Sequence, residues 1–224
     1  MENNILDIDR AAEEFAYSVA QPEQRTEDWF TQRLGRFTAS RISELLGVKG
    51  LGLTGENYAF EKACEIVFGR DNEEGFESFD MRRGTELEPM AFEEFKRLPE
   101  VEFKEVKNAT FVIYGNNAGA SPDGLVGLNE LVEIKCPRAQ KFFKIVQSGE
   151  FDKKYNDQMQ MQMLCTEAER THFFNYIIFN GKPMFHNIIV ERDEERINLI
   201  KERIEKATEI RDKFVQELIK NKQF

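Results

Sequence analysis

The sequence predicts an α/β chain: a central mixed β-sheet flanked by helices, with a helical segment at the N-terminal end and a long helix at the C-terminal end. Three observations carry that expectation. Apolar residues recur at helical spacing through most of the first hundred residues. The period then switches to that of strands between about residues 110 and 190, with helices intervening, and helical spacing returns after residue 194. At 224 residues, 41% of them hydrophobic and 20 of them Phe, the chain can bury a substantial core. One domain over 1–224 is expected, with residues 1–21 as a peripheral extension.

Taken in order, Ile8, Ala11, Ala12, Phe15 and Val19 predict an acidic amphipathic helix over 8–20, closed by Pro22. Residues 27–34 read as a short helix anchored by Trp29, Phe30 and Leu34, with Trp29 in the core rather than serving as a base-stacking platform. Ser40 is placed as the N-cap of a helix over 41–46. A longer helix covers 54–68, a polar loop 69–79, and another helix about 84–98, in which Pro89 marks either a first-turn position or a kink. Strands are predicted at 110–114, 125–126, 131–136, 172–179 and 184–190, with helices at 142–147 and 156–165 between them. Finally, Ile197, Ile200, Ile204, Ala207, Phe214 and Leu218 line one face of a helix over 194–220.

No run of eighteen apolar residues exists, and no basic segment followed by an apolar one opens the chain, so a cytoplasmic protein without a membrane partner is expected. The cysteines, Cys64, Cys136 and Cys165, are scattered among apolar neighbours and read as buried reduced thiols. Three cannot supply a four-thiolate iron–sulfur cluster. The net charge of −10 argues against a nucleic-acid partner until its distribution is considered. Residues 1–30 hold eight acidic and two basic side chains, a net −6, which leaves −4 for the other 194. Basic clusters remain at Arg33/Arg36/Arg41, Arg82/Arg83, Lys135/Arg138/Lys141/Lys144 and Lys153/Lys154.

The densest chemistry lies in Ser121-Pro122-Asp123-Gly124, followed by Glu133-Ile134-Lys135. Alternate residues of a strand share a face about 6.6 Å apart, so Glu133 and Lys135 project together while Ile134 points into the core beneath. Asp123, held by a turn, can close on the same point, and the Ile134 carbonyl adds a neutral oxygen. Two carboxylates and a carbonyl suit magnesium, which keeps several waters and takes few protein ligands. An ammonium beside them can orient a water and balance charge at a phosphodiester. Ser-Pro-Asp-Gly is also an ordinary β-turn sequence, and Glu-x-Lys an ordinary solvated strand face. Here, however, the two charges interrupt the apolar run Leu131, Val132, Ile134, Cys136, where a charge needs a reason.

Six ordered motifs resemble the family of phage lambda exonuclease and related viral recombination exonucleases, within the restriction-endonuclease-like PD-(D/E)XK nucleases. They are Trp29-Phe30-Thr31-Gln32-Arg33-Leu34-Gly35 with Thr38-Ala39-Ser40; Arg82-Arg83-Gly84-Thr85-Glu86-Leu87-Glu88; Ser121 to Gly124; Glu133-Ile134-Lys135-Cys136-Pro137; Tyr155-Asn156-Asp157-Gln158-Met159-Gln160; and Val190-Glu191-Arg192-Asp193-Glu194. The resemblance implies a restriction-endonuclease-like sheet and a nuclease with two Mg2+ ions per site, Mn2+ being able to substitute. Such an enzyme removes nucleotides from the 5′-phosphorylated strand of duplex DNA and leaves a 3′ single-stranded tail. By the same resemblance Asp123 binds both ions, and Glu133 and the Ile134 carbonyl hold one. Lys135 positions the attacking water, Glu88 rather than Glu86 assists from a helix, and Gln158 lies near the metals. Arg33, Ser40 and Ser121 grip the terminal 5′-phosphate, and Met81 occupies the place of a wedge that parts the last base pairs.

The resemblance further implies a homotrimeric ring, a phage-type single-strand annealing protein as partner, and a phage or prophage protein working in a bacterial cytoplasm. Two departures stand out: Arg82-Arg83 replace an aromatic residue before Gly84, and the acidic N-terminal helix is longer. The competing readings are a structure- or site-specific endonuclease on the same core and a catalytically silent binding module. The Arg33/Ser40/Ser121 set disfavours the first, and the intact Asp123, Glu133 and Lys135 disfavour the second.

Overall fold

The computed structural model describes residues 26–70 and 79–221, without the side chains of 79–81. In chain order the elements are α1 (Glu27–Arg33), β1 (Phe37–Thr38), a 3₁₀ helix (Ala39–Leu45), α2 (Gly52–Phe68), α3 (Phe79–Phe95), β2 (Val106–Asn108), β3 (Val112–Tyr114), β4 (Ala118–Ala120), β5 (Gly124–Val126), β6 (Glu130–Lys135), α4 (Ala139–Ser148), α5 (Lys153–Thr166), β7 (Arg170–Phe179), β8 (Lys182–Glu191) and α6 (Glu194–Lys220). A mixed five-stranded sheet runs β2-β5-β6-β7-β8, with β6 and β7 parallel and the other pairs antiparallel. Helices flank it, as the sequence predicts. A second, three-stranded sheet, β1-β4-β3, stands beside it.

Alternation along β6 sorts the chain into layers, because successive strand side chains face opposite ways. Val132 and Ile134 join Phe174 and Tyr176 of β7 and pack under α3 with Ala91 and Phe95. Leu131 faces the other way, with Phe173, against Met159 and Met163 of α5. The opposite side of α5 presents Met161 and Leu164 to a third cluster. There the 3₁₀ helix contributes Ile42 and Leu45, α2 contributes Tyr58, and α6 contributes Ile197, Ile200, Ile204 and Ala207. Helix α5 is therefore a central layer, buried from Asp157 through Leu164. The repeated Gln-Met pairs of 158–163 have a period of two, yet lie on a helix because each side of it meets a different packed surface.

Several boundaries differ from the sequence expectation. The helix over 8–20 lies outside the described residues, as does most of the 69–79 loop. Helix α3 starts at Phe79 rather than about 84, so Pro89 is an interior position, not a first-turn one. The segment expected as a helix capped by Ser40 is a 3₁₀ helix that begins directly after the extended Thr38, without a side-chain cap, and Ser40 is exposed. The chain must leave the β1–β4 pairing there, which leaves Ser40 inside the first turn. Strands β1, β2 and β4 are two or three residues long, too short to show a period, and β3 belongs to the second sheet rather than the central one. Cys64, Cys136 and Cys165 are free but part-exposed, not buried. Helix α6 runs from Glu194 to Lys220 as predicted, and among the described residues no helix is long and apolar enough to cross a membrane.

The second sheet depends on one small residue. A Cβ on Gly119 would lie 2.3 Å from Cζ of the fully buried Phe111 and 2.8 Å from the Val112 carbonyl oxygen. Gly119→Ala is expected to destabilise the protein by about 2 kcal/mol through overpacking. For a chain of this size that is a fall in Tm of roughly 4–8 °C, checked by thermal unfolding. An unchanged Tm would mean that Phe111 does not rest on this strand.

Candidate active site

Glu133 projects from β6 into the α5 side of the sheet and is 1% exposed. An ionised carboxylate survives there only if donors replace its water. Oε1 accepts from Lys135 Nζ and from Gln158 Nε2 at 2.7 Å, and Oε2 accepts from Gln162 Nε2 at 2.5 Å. Lys135 shares the face, as alternation requires. Burial alone would depress its ammonium, but Glu133 and Asp123 outweigh burial and hold its pKa above the usual lysine value.

Asp123 reaches the same strand from the turn between β4 and β5. Its N–H donates to the Val132 carbonyl at 3.1 Å, and its Oδ2 accepts from the Ile134 N–H at 2.6 Å. The N–H and C=O of one strand residue point to the same edge. The Ile134 carbonyl therefore also lies on the Asp123 side, past the last β5–β6 pair, Gly124↔Val132. Gly124 matters through close approach, not through the positive φ that a turn glycine usually supplies. Its φ is not positive, and a Cβ there would lie 2.8 Å from Phe92 of α3 and 2.9 Å from Val132. The missing Cβ lets α3 settle on the sheet and brings Glu88, one turn before Phe92, toward Asp123. Burial first, then repulsion from Glu133 and Glu88, pushes the Asp123 carboxyl well above the usual carboxylate range, against the opposing pull of Lys135 and the Ile134 N–H.

Two clefts meet at these residues. One, of about 620 Å³, is lined by Arg83, Lys135, Arg138, Lys141 and Tyr155 together with Glu88 and Ile134. The other, of about 590 Å³, is lined by Asp123, Glu88, Phe92, Lys96 and Asn108, again with Ile134. Arg83 braces the first by donating to the carbonyls of Cys136 at 2.6 Å and Pro137 at 3.2 Å, tying α3 to the end of β6. Glu86, in contrast, is exposed. Of the basic clusters, Arg83 and Lys135, Arg138 and Lys141 supply this cleft, whereas Arg41 is taken up by Glu44 and Glu61.

A third group sits two residues from Asp123. Ser121 Oγ accepts from Trp29 Nε1 at 3.0 Å and from Arg33 Nη1 at 3.3 Å, and the Arg33 guanidinium stacks 4.1 Å over the Trp29 ring. Trp29 and Arg33 are one helical turn apart on α1, so both reach Ser121. Among the described residues no carboxylate pairs with Arg33, and burial pulls its pKa down to about 10. Trp29 is half-buried and polar-bonded, so the expectation of a core residue is corrected. The β1–β4 register, Thr38↔Gly119, carries Ser40 and Ser121 out at the same end of that parallel pair. Ser40 Oγ lies 3.4 Å from Thr38 Oγ1, and no hydrogen bond joins Ser40 to Arg33.

The structure thus brings Glu88, Asp123, Glu133, Ile134, Lys135 and Gln158 together, with Arg33 and Ser121 beside them. Met81 lies in the first turn of α3, and its side chain is outside the described residues. Sequence reasoning missed Gln162, Trp29 and Arg83. The signals were present: Gln162 is four residues from Gln158, Trp29 four from Arg33, and Arg83 five before Glu88. Among the described residues no cluster of three His, Cys, Asp or Glu side chains is arranged to hold a metal.

Comparison with known proteins places this geometry. Residues 28–169 match the YqaJ-like viral recombinase domain. The alkaline exonuclease LHK-Exo of Laribacter hongkongensis has a similar structure, with 30% identity, a TM-score of 0.75, and 87% of this chain and 97% of that one covered. Its complex with dAMP matches at 29% identity and a TM-score of 0.74. A phage-related exonuclease of Haemophilus somnus shares the fold at 18% identity and a TM-score of 0.64, over 82% of this chain and 96% of that one. No curated protein sequence matches significantly. With its carboxylates, lysine and glutamine gathered inside the matched segment, the chain belongs to the YqaJ-like viral recombinase family.

Proposed function

We propose that this protein is a Mg2+-dependent 5′-to-3′ exonuclease. It would degrade the 5′-phosphorylated strand of duplex DNA to mononucleotides and leave 3′ single-stranded tails for recombination by strand annealing. The observation that carries the reading is the Arg33–Ser121 bond, two residues from Asp123. Two residues of extended chain span at most about 7 Å, comparable with the spacing of neighbouring phosphates. A terminal phosphate on Arg33 and Ser121 would set the first internal phosphodiester at Asp123, and each cut would release one nucleotide. A terminal monoester carries more charge than a diester, so a part-buried guanidinium that pairs with no carboxylate among the described residues favours an end over an interior position. The alkaline exonuclease relative, crystallised with a mononucleotide, supports this assignment.

The residues present fit magnesium. Asp123, Glu133 and Glu88 repel one another across a partly dry site, as the raised Asp123 carboxyl reports, and a divalent cation would relieve that repulsion. Magnesium binds one or two carboxylates together with neutral oxygens and waters, which the two carboxylates and the carbonyl here can meet. Asp123, Glu133 and the Ile134 carbonyl would hold it, Asp123 would also be a ligand of a second ion, and Glu88 would assist. Bound there, magnesium would polarise the scissile phosphate and acidify a water. Lys135, already donating to Glu133, would orient the attacking water, and Gln158 would keep Glu133 turned toward the site. Arg83, Arg138 and Lys141 would take the phosphodiester backbone along the basic cleft.

Assembly as a homotrimer, partnership with a phage-type single-strand annealing protein and action in a bacterial cytoplasm complete the proposal. Exposed Phe143, Phe179, Phe185 and Ile189 offer apolar surface for subunit contact.

Linear duplex bearing 5′-phosphates should be digested with Mg2+ and spared with chelator, ends lacking phosphate should react more slowly, and a closed circle should survive. Digestion of the circle would favour the endonuclease reading. Glu133→Gln, which keeps the side chain's shape but turns one of its two acceptors into a donor facing donors, should slow turnover by roughly 10²–10³-fold or more and lower the Tm, and near-normal turnover would displace Glu133 from the site. Arg33→Ala should cut the preference for a 5′-phosphate by about 10–100-fold, the worth of a charge-assisted bond, and an unchanged ratio of rates on the two ends would remove Arg33 from the receptor. Asp123→Asn should abolish hydrolysis yet raise the Tm of the metal-free protein by a few degrees, since it removes a repelled buried charge and keeps an acceptor for the Ile134 N–H. A lowered Tm would mean that the carboxylates do not strain the fold.

A further inference from the structure

Glu133 is pinned at both oxygens, and the chemistry proposed above accounts for one of the two anchors. Lys135 and Gln158 hold Oε1, and Lys135 lines one of the clefts. Gln162 holds Oε2 from the next turn of α5, is 0% exposed, and is absent from the lining of either cleft. It makes that bond at a cost, because its own Oε1 is buried without a hydrogen-bond partner among the described residues. Its neighbours Met159, Met161 and Met163 are fully buried, so packing alone would be met by another methionine. A buried amide that leaves its carbonyl unsatisfied while donating to one carboxylate oxygen is placed for that oxygen.

The geometry matters because the last torsion of a glutamate is broad and two-fold rather than locked in narrow wells. Donors on one oxygen leave the carboxylate free to swing about it, whereas donors on both fix its plane. We infer that Gln162 is a positioning residue that sets the plane of the Glu133 carboxylate and directs its remaining lone pairs toward Asp123 and the Ile134 carbonyl. Gln162 touches neither the ion nor the DNA. Its effect is to prepare Glu133 for a divalent cation, and the inference rests on the metal-dependent reading of the site. Outer partners of metal ligands are typically worth 10–100-fold in metal affinity.

The test is Gln162→Met, which keeps the volume and removes the donor, with Gln162→Asn, too short to reach Glu133, as the second variant should the first fail to fold. Mg2+ binding is followed in the absence of DNA by titration calorimetry and by the Mg2+-induced rise in Tm, beside the Mg2+ dependence of digestion. Either folded variant should need about 10–100-fold more Mg2+ for half-saturation, and excess Mg2+ should restore most of the rate, with KM for duplex ends unchanged. Wild-type Mg2+ affinity in a folded variant would overturn the inference, as would a lost rate that excess Mg2+ does not restore. A wild-type protein that binds no Mg2+ would instead remove the metal-dependent reading, and Gln162 with it.

Discussion

A carboxylate that is 1% exposed, inside a sheet-and-helix layer, must be met by donors from whatever surrounds it, and the architecture follows from meeting that requirement at Glu133. The donors come from two elements, β6 itself and α5. Helix α5 must therefore lie flat against the sheet, with Gln158 and Gln162 on the strand side. It can do so because Met159 and Met163 pack on Leu131 and Phe173, while Met161 and Leu164 close the cluster under α6. Its remaining polar residues are also answered: Asp157 by Arg196 Nε at 2.7 Å, and Gln160 by the Glu191 carbonyl and the Asp193 N–H. Those bonds tie the centre of the layer to the corner where β8 turns into α6. A polar network of this kind stabilises only when its members are satisfied, which makes the layer sensitive to any shift of α5.

Long periodic segments were legible from the sequence because their side chains see one environment per face. Helix α6, with one face on the core and one in solvent, shows an apolar period over its whole length, and strands 131–136 and 172–179 show apolar runs. Where an element meets two environments, the pattern blurs. Helix α5 carries polar residues at 158, 160 and 162 that look solvated and are buried, because each answers a particular charged or backbone group. The short strands β1 and β4 were invisible for another reason. Ala118-Gly119-Ala120 has no apolar contrast, and its selection is for smallness, so that Phe111 can lie across it. At the site, Glu133 and Lys135 could be read from strand alternation and Asp123 from its turn, whereas the trace of Trp29 was its one-turn spacing from Arg33. An indole whose ring carries a guanidinium and whose N–H meets a serine looks, in sequence, like any aromatic on an amphipathic helix.

Charge follows the same local logic. A net −10 would repel a polyanion at a distance, yet the surface near the site is not the average surface. Four cationic side chains line one cleft, and several acidic ones elsewhere are already matched: Glu44 and Glu61 with Arg41, Glu65 with Lys62, and Glu130 with Lys104. Arg33 is an exception to that matching: among the described residues no carboxylate pairs with it. Part-buried and facing a hydroxyl rather than a carboxylate, it is on the proposed reading a cation left for an anionic ligand.

That exception and the buried carboxylates are linked through one turn. Ser121 and Asp123 leave β4 together, and the turn is held at both ends by the need for small residues: Gly119 beneath Phe111, and Gly124 beneath Phe92 and against Val132. On the proposed reading, the receptor for a DNA end and the ligand for the cation cannot move independently, because the backbone between them is clamped by the Asp123–Ile134 and Asp123–Val132 hydrogen bonds. An enzyme built this way would not need to measure one nucleotide with a separate element. The distance from Ser121 to Asp123 along the chain would set it, and the close packing of α3 on Gly124 would keep Glu88 facing the place where the bond breaks.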